Sequence, residues 1–409
     1  MDHATLTRAV EGDAALRRRQ PLQPVGGKGD KIFPPTYPEE RRGQGPRHVF
    51  ERRRVNGREV WCVLVDSVQS QANRLEEVLL EAMRQGTIKV PHVTVDFRGA
   101  GLAGLTEITS LDAPHRVYDA ILRDSSLDGQ PFMKSDLGVR LAQAKPANAT
   151  ALLETSPTAL LFGAWHSTGE GGGFGAKFPR CLVSEIIAVD VPGEEGPADP
   201  RTGEIEVRTS GRRTGSRIDP LGVLRRVQVF KSAEGWDVAK ERAGKGAKPA
   251  RPSEINHGNI APTVQPLGIT CEYAEHTAVL SFAGLRRLNF GGGKKDAAGR
   301  SLVAALGLVA LTEQDARGYA LRSRCDLVCQ GCAPFELVHA DGSAAQLDVD
   351  RGTASAVYAE ALCAARDAGF KLAPEPIRLT PQDKLVHIVK ESQKQALEGK
   401  GGEADEVEA

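Results

Sequence analysis

Apolar positions recur along this chain at two spacings. Val68, Ala72, Leu75, Leu79 and Met83 fall three or four residues apart, which predicts a helix from Ser67 to Gln85 with Gly86 as its C-terminal cap. Shorter helical patterns occupy residues 1–15, 114–123, 137–144, 301–311 and 354–369. Other apolar stretches are continuous and bounded by turn residues. Glu59–Val65 (EVWCVLV) and Leu182–Val191 (LVSEIIAVDV) predict buried strands, Ile88–Phe97 predicts an extended one, and Ile269–Leu280 predicts a strand or a pair of strands. Leu16-Arg17-Arg18-Arg19 reads as a strand entering a mobile Pro/Gly-rich loop that runs to Tyr37. Residues 192–262 are rich in Gly, Pro and Arg and poor in core residues, as in a long functional excursion or a partly ordered arm. Strands alternating with helices through long loops indicate a mixed α/β or α+β fold.

Composition narrows the class of protein. The 409 residues, 40% of them hydrophobic, suffice for a sizeable core and for roughly two to three domains' worth of mass. No apolar run approaches the roughly 18 residues that cross a bilayer. Asp2, Glu11 and Asp13 with no apolar stretch beside them do not form a signal peptide, and seven scattered cysteines do not form a disulfide framework. The cytoplasm of a prokaryote is the expected location. Lys and Arg total 53, as do Asp and Glu, so net charge argues mildly against nucleic-acid binding. Distribution changes that picture. Residues 1–60 hold 13 basic against 8 acidic side chains and residues 201–254 hold 13 against 7, whereas the stretch from Glu391 holds 2 against 6.

Candidate chemistry is mostly of the anion-gripping kind. Ser70, Gln71, Asn73 and Arg74 occupy the first turns of a helix, where free N–H groups and the dipole favour an anion; a capped, solvated helix end fits the same residues. The glycine-rich segment Gly169–Gly175 is flanked by His166, Ser167, Thr168, Lys177 and Arg180; it fits a phosphate-approaching loop or a flexible hairpin tip. Neither it nor Gly291–Lys295 matches a nucleotide-binding P-loop. Arg212, Arg213 and Arg217 lie in a segment with almost no core residues and suit phosphates, bases or plain solvent. Cys325, Cys329 and Cys332 with His339 match a zinc site poorly, and free core cysteines fit better. His166 lacks a paired nucleophile or acid, and a hydrogen bond to RNA suits it better than general-base work. No catalytic residue, metal or cofactor is expected.

Several strings, in order, resemble one family. They are Val68–Leu75 (VQSQANRL), Thr109–Asp124 (TSLDAPHRVYDAILRD), Pro157–Val191, Gly215–Val223 (GSRIDPLGV), Gly258-Asn259-Ile260, Leu285–Phe290 (LRRLNF) and Arg324-Cys325-Asp326-Leu327. Across roughly residues 16–335 the chain is similar to the backbone subunit of the type I-G (formerly I-U) CRISPR Cascade surveillance complex, a member of the RAMP superfamily. The resemblance implies an α+β fold, a modified RRM-like (ferredoxin-type) palm with large finger and thumb insertions. Residues 1–191 would form the N-terminal part of the palm with helical fingers. Residues 192–262 would be an insertion and candidate thumb, 263–390 the C-terminal part of the palm, and 391–409 a disordered acidic tail. It implies a non-catalytic protein that stacks head to tail along CRISPR RNA and presents it to target DNA. Its partners would be copies of itself, a processing and capping subunit, and a large DNA-recognising subunit. The RNA-binding sets would be Ser70, Gln71, Asn73 and Arg74; Lys177 and Arg180 with the loop from Ser167; and Arg17, Arg18, Arg19 and Lys28. Arg212, Arg213, Arg217 and Asn259 would lie on the thumb. The other reading within the superfamily is an endoribonuclease that processes precursor CRISPR RNA with His166 or His115 as base.

Overall fold

The computed structural model describes residues 1–38, 46–166, 177–198, 200, 203 and 205–397. The chain divides into two compact units. The first comprises Met1–Pro35, Phe50–Val191 and Cys271–Leu385; the second comprises Thr36–Val49, Pro192–Thr270 and Val386–Ala409.

The first unit is built on a nine-stranded antiparallel sheet. Its strands are β1 (Ala15–Pro24), β2 (Phe50–Val55), β3 (Arg58–Asp66), β4 (Leu182–Val189), β5 (Tyr273–Ser281), β6 (Tyr319–Arg322), β7 (Cys325–Cys329), β8 (Phe335–Val338) and β9 (Ala344–Leu347). The main path runs β6-β7-β1-β5-β4-β3-β2, with β8 also pairing with β1, and β9 with β8. The helices of ten residues or more are α1 (His3–Gly12), α2 (Val68–Arg84), α3 (Gly293–Arg317) and α4 (Arg351–Asp367), with α5 (Asp383–Leu397) extending past the boundary of the unit. This antiparallel sheet with helices is the expected α+β class, consistent with an RRM-like palm carrying insertions.

Helix α3 is the centre of the core. Every residue from Ala298 to Gln314 is buried, and a Cβ added at Gly307 would sit 3.3 Å from Leu161 and 3.6 Å from Leu280 of β5. Glycine therefore lets this helix lie close on the sheet. The helix begins at Gly293, eight residues before the predicted start, because Asp296 accepts the N–H groups of Phe290 and Gly292 and so organises the Gly/Lys segment into its first turn.

The pleat decides which side of the sheet each residue serves. On β1 and β5 the even-numbered residues Leu16, Arg18, Gln20, Leu22, Ala274, His276, Ala278 and Leu280 are buried. The odd positions face the other way and carry ion pairs: Arg17 with Glu336 at 2.7 Å and Arg19 with Glu275 at 3.3 Å. Arg53 of β2 reaches Glu185 of β4 at 2.7 Å.

In the second unit, strands Arg213–Arg217 and Ile260–Gln265 pair as a two-stranded ribbon whose residues are nearly all exposed. Val229–Ser232, Gly235–Asp237 and Lys248–Ala250 form a separate three-stranded sheet. Helix α5 continues to Leu397, so residues 391–397 are helical where a disordered tail was expected; 398–409 lie outside the described residues.

Candidate nucleic-acid interface

The glycine-rich segment springs from a short hairpin. Ala164–Trp165 pairs with Lys177–Phe178, so that Trp165 stands opposite Lys177. Ser167, Thr168 and Gly169–Gly175 lie outside the described residues. Trp165 is 55% exposed, and the Lys177 ammonium lies 4.8 Å from the centroid of its ring. Arg180 is exposed and forms no ion pair among the described residues. Partial burial and the neighbouring charge of Arg116 push its pKa down, against a smaller upward pull from Glu76. Arg287, also exposed, acts electrostatically on the Cys181 thiol next to Arg180, although burial pushes that thiol up to about 12. Lys177 thus lies against the exposed indole, and Arg180 and Arg287 add positive charge around Cys181, just before β4.

A buried ion pair holds the base of this hairpin. Arg116 forks onto Glu76 at 2.8 and 2.7 Å and donates to the Gly163 carbonyl at 2.9 Å. Its backbone is left-handed, with φ at +54°, a cost of about 1–3 kcal/mol that the surrounding contacts must offset. Burial pushes the Glu76 carboxyl upward, opposed by Arg116. Glu76 is 1% exposed rather than a surface charge. It belongs to the inner stripe of α2, one turn beyond Ala72, and that spacing was the available signal. His166 is also packed in, its ring stacked on Tyr118 at 4.9 Å with 15° between planes. Burial and nearby Arg123 lower its pKa, so the imidazole is neutral at pH 7. His115 is exposed.

The first predicted phosphate set meets a different anion. Ser70 Oγ donates to Asp66 at 2.9 Å, Gln71 Nε2 at 2.7 Å, Arg74 Nε at 3.0 Å and the Arg322 guanidinium at 3.1 Å. Asp66 is fully buried just before the Ser67 N-cap of α2, so the negative charge favoured at this helix start is supplied by the protein itself. Gln71 is fully buried and turned inward, which corrects its placement in the RNA-binding set, whereas Asn73 is exposed. Arg74 keeps 22% of its side chain exposed and, with Arg84 and Arg317, lines a cavity of about 300 Å³.

The arginine triplet is divided by the pleat. Arg18 is 1% exposed, forks onto Asp315 at 2.5 and 2.8 Å and stacks on Phe335, so it is a core residue rather than an RNA contact. Arg17 and Arg19 lie on the opposite face, and Lys28 is exposed in the turn after β1. In the second unit, Arg217 donates to the Gly258 carbonyl while Asn259 Oδ1 accepts from the Asp219 N–H. Arg212 turns back onto the carbonyls of Ser210 and Gly211, and Arg213 is exposed at the end of the ribbon.

Among the described residues no group of three His, Cys, Asp or Glu side chains could hold a metal ion. Burial pushes the Cys325 and Cys329 thiols up to about 11, away from the thiolate that zinc requires. No described helix is long and apolar enough to cross a membrane.

Residues 16–192 are similar to a CRISPR-associated protein family. The matching family model is that of CRISPR-associated protein GSU0053 (Cas_GSU0053), and the match ends one residue beyond the Val191 boundary of the first unit. No curated protein matches the chain.

Proposed function

We propose that this protein is the non-catalytic, RNA-binding backbone subunit of a type I-G CRISPR surveillance complex, repeated head to tail along the guide. The observation that carries this reading is the exposed Trp165–Lys177 stack close in sequence to Arg180, which forms no ion pair among the described residues. An exposed ring offers a stacking face to any base, and the two cations meet phosphates without reading base edges. A subunit that must accept every spacer needs that kind of contact. The odd-numbered face of β1 and β5, where RRMs commonly stack bases, here carries ion pairs, which favours a backbone grip over sequence reading. Head-to-tail contacts that do not close give a filament, and the balanced net charge limits repulsion between stacked copies. The other subunits would be a processing and capping subunit and a large subunit that recognises target DNA, in a prokaryotic cytoplasm.

The test is to purify the protein from cells expressing a CRISPR array. The reading predicts co-purified CRISPR RNA and oligomers of regular length, with RNA content reduced in Trp165→Ala. A monomer free of RNA, or cleavage of precursor RNA that disappears in His166→Ala, would refute it.

A further inference from the structure

The second unit carries a stacking surface of its own. In its three-stranded sheet Lys231 is the cross-strand partner of Trp236 on one side and of Lys248 on the other. Directly opposed residues of a sheet share a face, so the indole and the two ammonium groups stand in one row across the three strands. All three are exposed, Trp236 by 47%. His257 meets the indole edge to face at 5.5 Å and helps fix its plane. The Lys231 ammonium donates to the Glu254 carbonyl, which uses one of its three donors and neutralises none of its charge. Of the acids nearby, Glu254 accepts the Arg251 N–H, Asp237, pointing to the other face, lies 3.9 Å from Arg242, and Glu234 and Glu241 are exposed, so the basic residues outnumber them rather than pair with them all. Residues 225–251 hold eight Lys or Arg against three Asp or Glu, so the positive field extends beyond the row.

We propose that the Trp236–Lys231–Lys248 face binds single-stranded DNA, independently of the surface that takes the guide RNA. The row has the two components of a sequence-tolerant single-strand platform, a base-stacking ring and flanking cations along the phosphate track. The two lysines of the row act as point charges, and the row itself contains no forked guanidinium to read a base edge. The choice of DNA rests on the guide-bearing reading above: when a guide pairs with one DNA strand, the other is displaced and left single-stranded.

The experiment is fluorescence anisotropy of the full-length protein with a fluorescein-labelled 20-mer oligothymidine, run beside a labelled single-stranded RNA. In Trp236→Ala and in Lys231→Ala/Lys248→Ala, DNA affinity is expected to fall about tenfold or more while RNA affinity stays within about twofold. Trp236→Phe, which keeps a stacking ring, should retain most DNA binding and controls for misfolding. The proposal is overturned if the wild type binds no single-stranded DNA, if the variants bind it unchanged, or if RNA binding falls in parallel. Failure of the guide-bearing reading looks different: RNA binding would be absent, or indifferent to Lys177 and Arg180, while DNA binding still depended on Trp236.

Discussion

Replacing Arg18 by alanine should damage the fold and leave RNA affinity intact. Arg18 projects from β1 into the layer between sheet and helix, where both its terminal nitrogens bind Asp315 of α3. Tyr319 donates to the same carboxylate, and His276 sits 3.1 Å from the tyrosine hydroxyl. Removing the guanidinium leaves a largely buried aspartate with a single hydroxyl donor, and breaking a buried pair in this way costs about 3–5 kcal/mol. The lost stacking of Arg18 on Phe335, 4.7 Å away, adds to this. The paired replacement Arg18→Leu/Asp315→Leu removes both charges and should recover most of the loss. Urea titration of wild type and both variants would show the single variant unfolding at a much lower midpoint and the double variant returning towards wild type. RNA affinity measured below the unfolding range should match across all three. If Arg18→Ala unfolded like the wild type but bound RNA tenfold more weakly, the side chain would be reaching a ligand and its placement in the core would be refuted.

The remaining expectations concern the same interior. Asp66→Ala should destabilise the protein by a similar 3–5 kcal/mol, because it strands Arg74, Arg322 and Gln71 without their shared acceptor; Asp66→Asn, which keeps an acceptor oxygen, should cost less in the same urea titration. His276 is fully buried, and desolvation, helped by Arg18, lowers its pKa from 6.5 to about 3. The unfolded chain therefore takes up a proton that the folded chain refuses, so stability present above about pH 6.5 falls by up to about 1.4 kcal/mol per pH unit as pH drops toward 3. His276→Phe should flatten that slope in thermal melts at pH 7, 6 and 5; an unchanged slope would mean that the imidazole is protonated in the native state.

Legibility in the sequence tracked how far one element decides its own environment. Helix α2 was readable to within a residue, because Ser67 caps it and Gly86 follows it in the left-handed conformation, at φ +73°. The strands at Val60 and Leu182 were readable as continuous apolar runs. The start of α3 was not, since Gly291–Lys295 looks like a loop until Asp296 folds back on it. Residues 205–265 hid their strands because both faces of the ribbon meet solvent and no alternation marks them. For the candidate site, the sequence offers cationic residues but does not say which anion each meets. Arg18 and Gln71 found carboxylates from elements far along the chain or just beside them, and only the tertiary arrangement distinguishes them from Lys177 and Arg180. Trp165 closes the apolar run 159–165, a pattern that reads as core, yet the hairpin turns its ring outward.

The central claim is that Lys177 and Arg180 grip the RNA backbone, and the salt dependence of binding reports on it directly. For a single-stranded RNA of mixed sequence, the slope of log affinity against log salt should be shallower by about 1.4 in Lys177→Ala/Arg180→Ala than in the wild type, the loss of two phosphate contacts at about 0.7 each. That change should be the same for every RNA sequence tried. Equal slopes in the two proteins, or a change confined to one sequence, would contradict it.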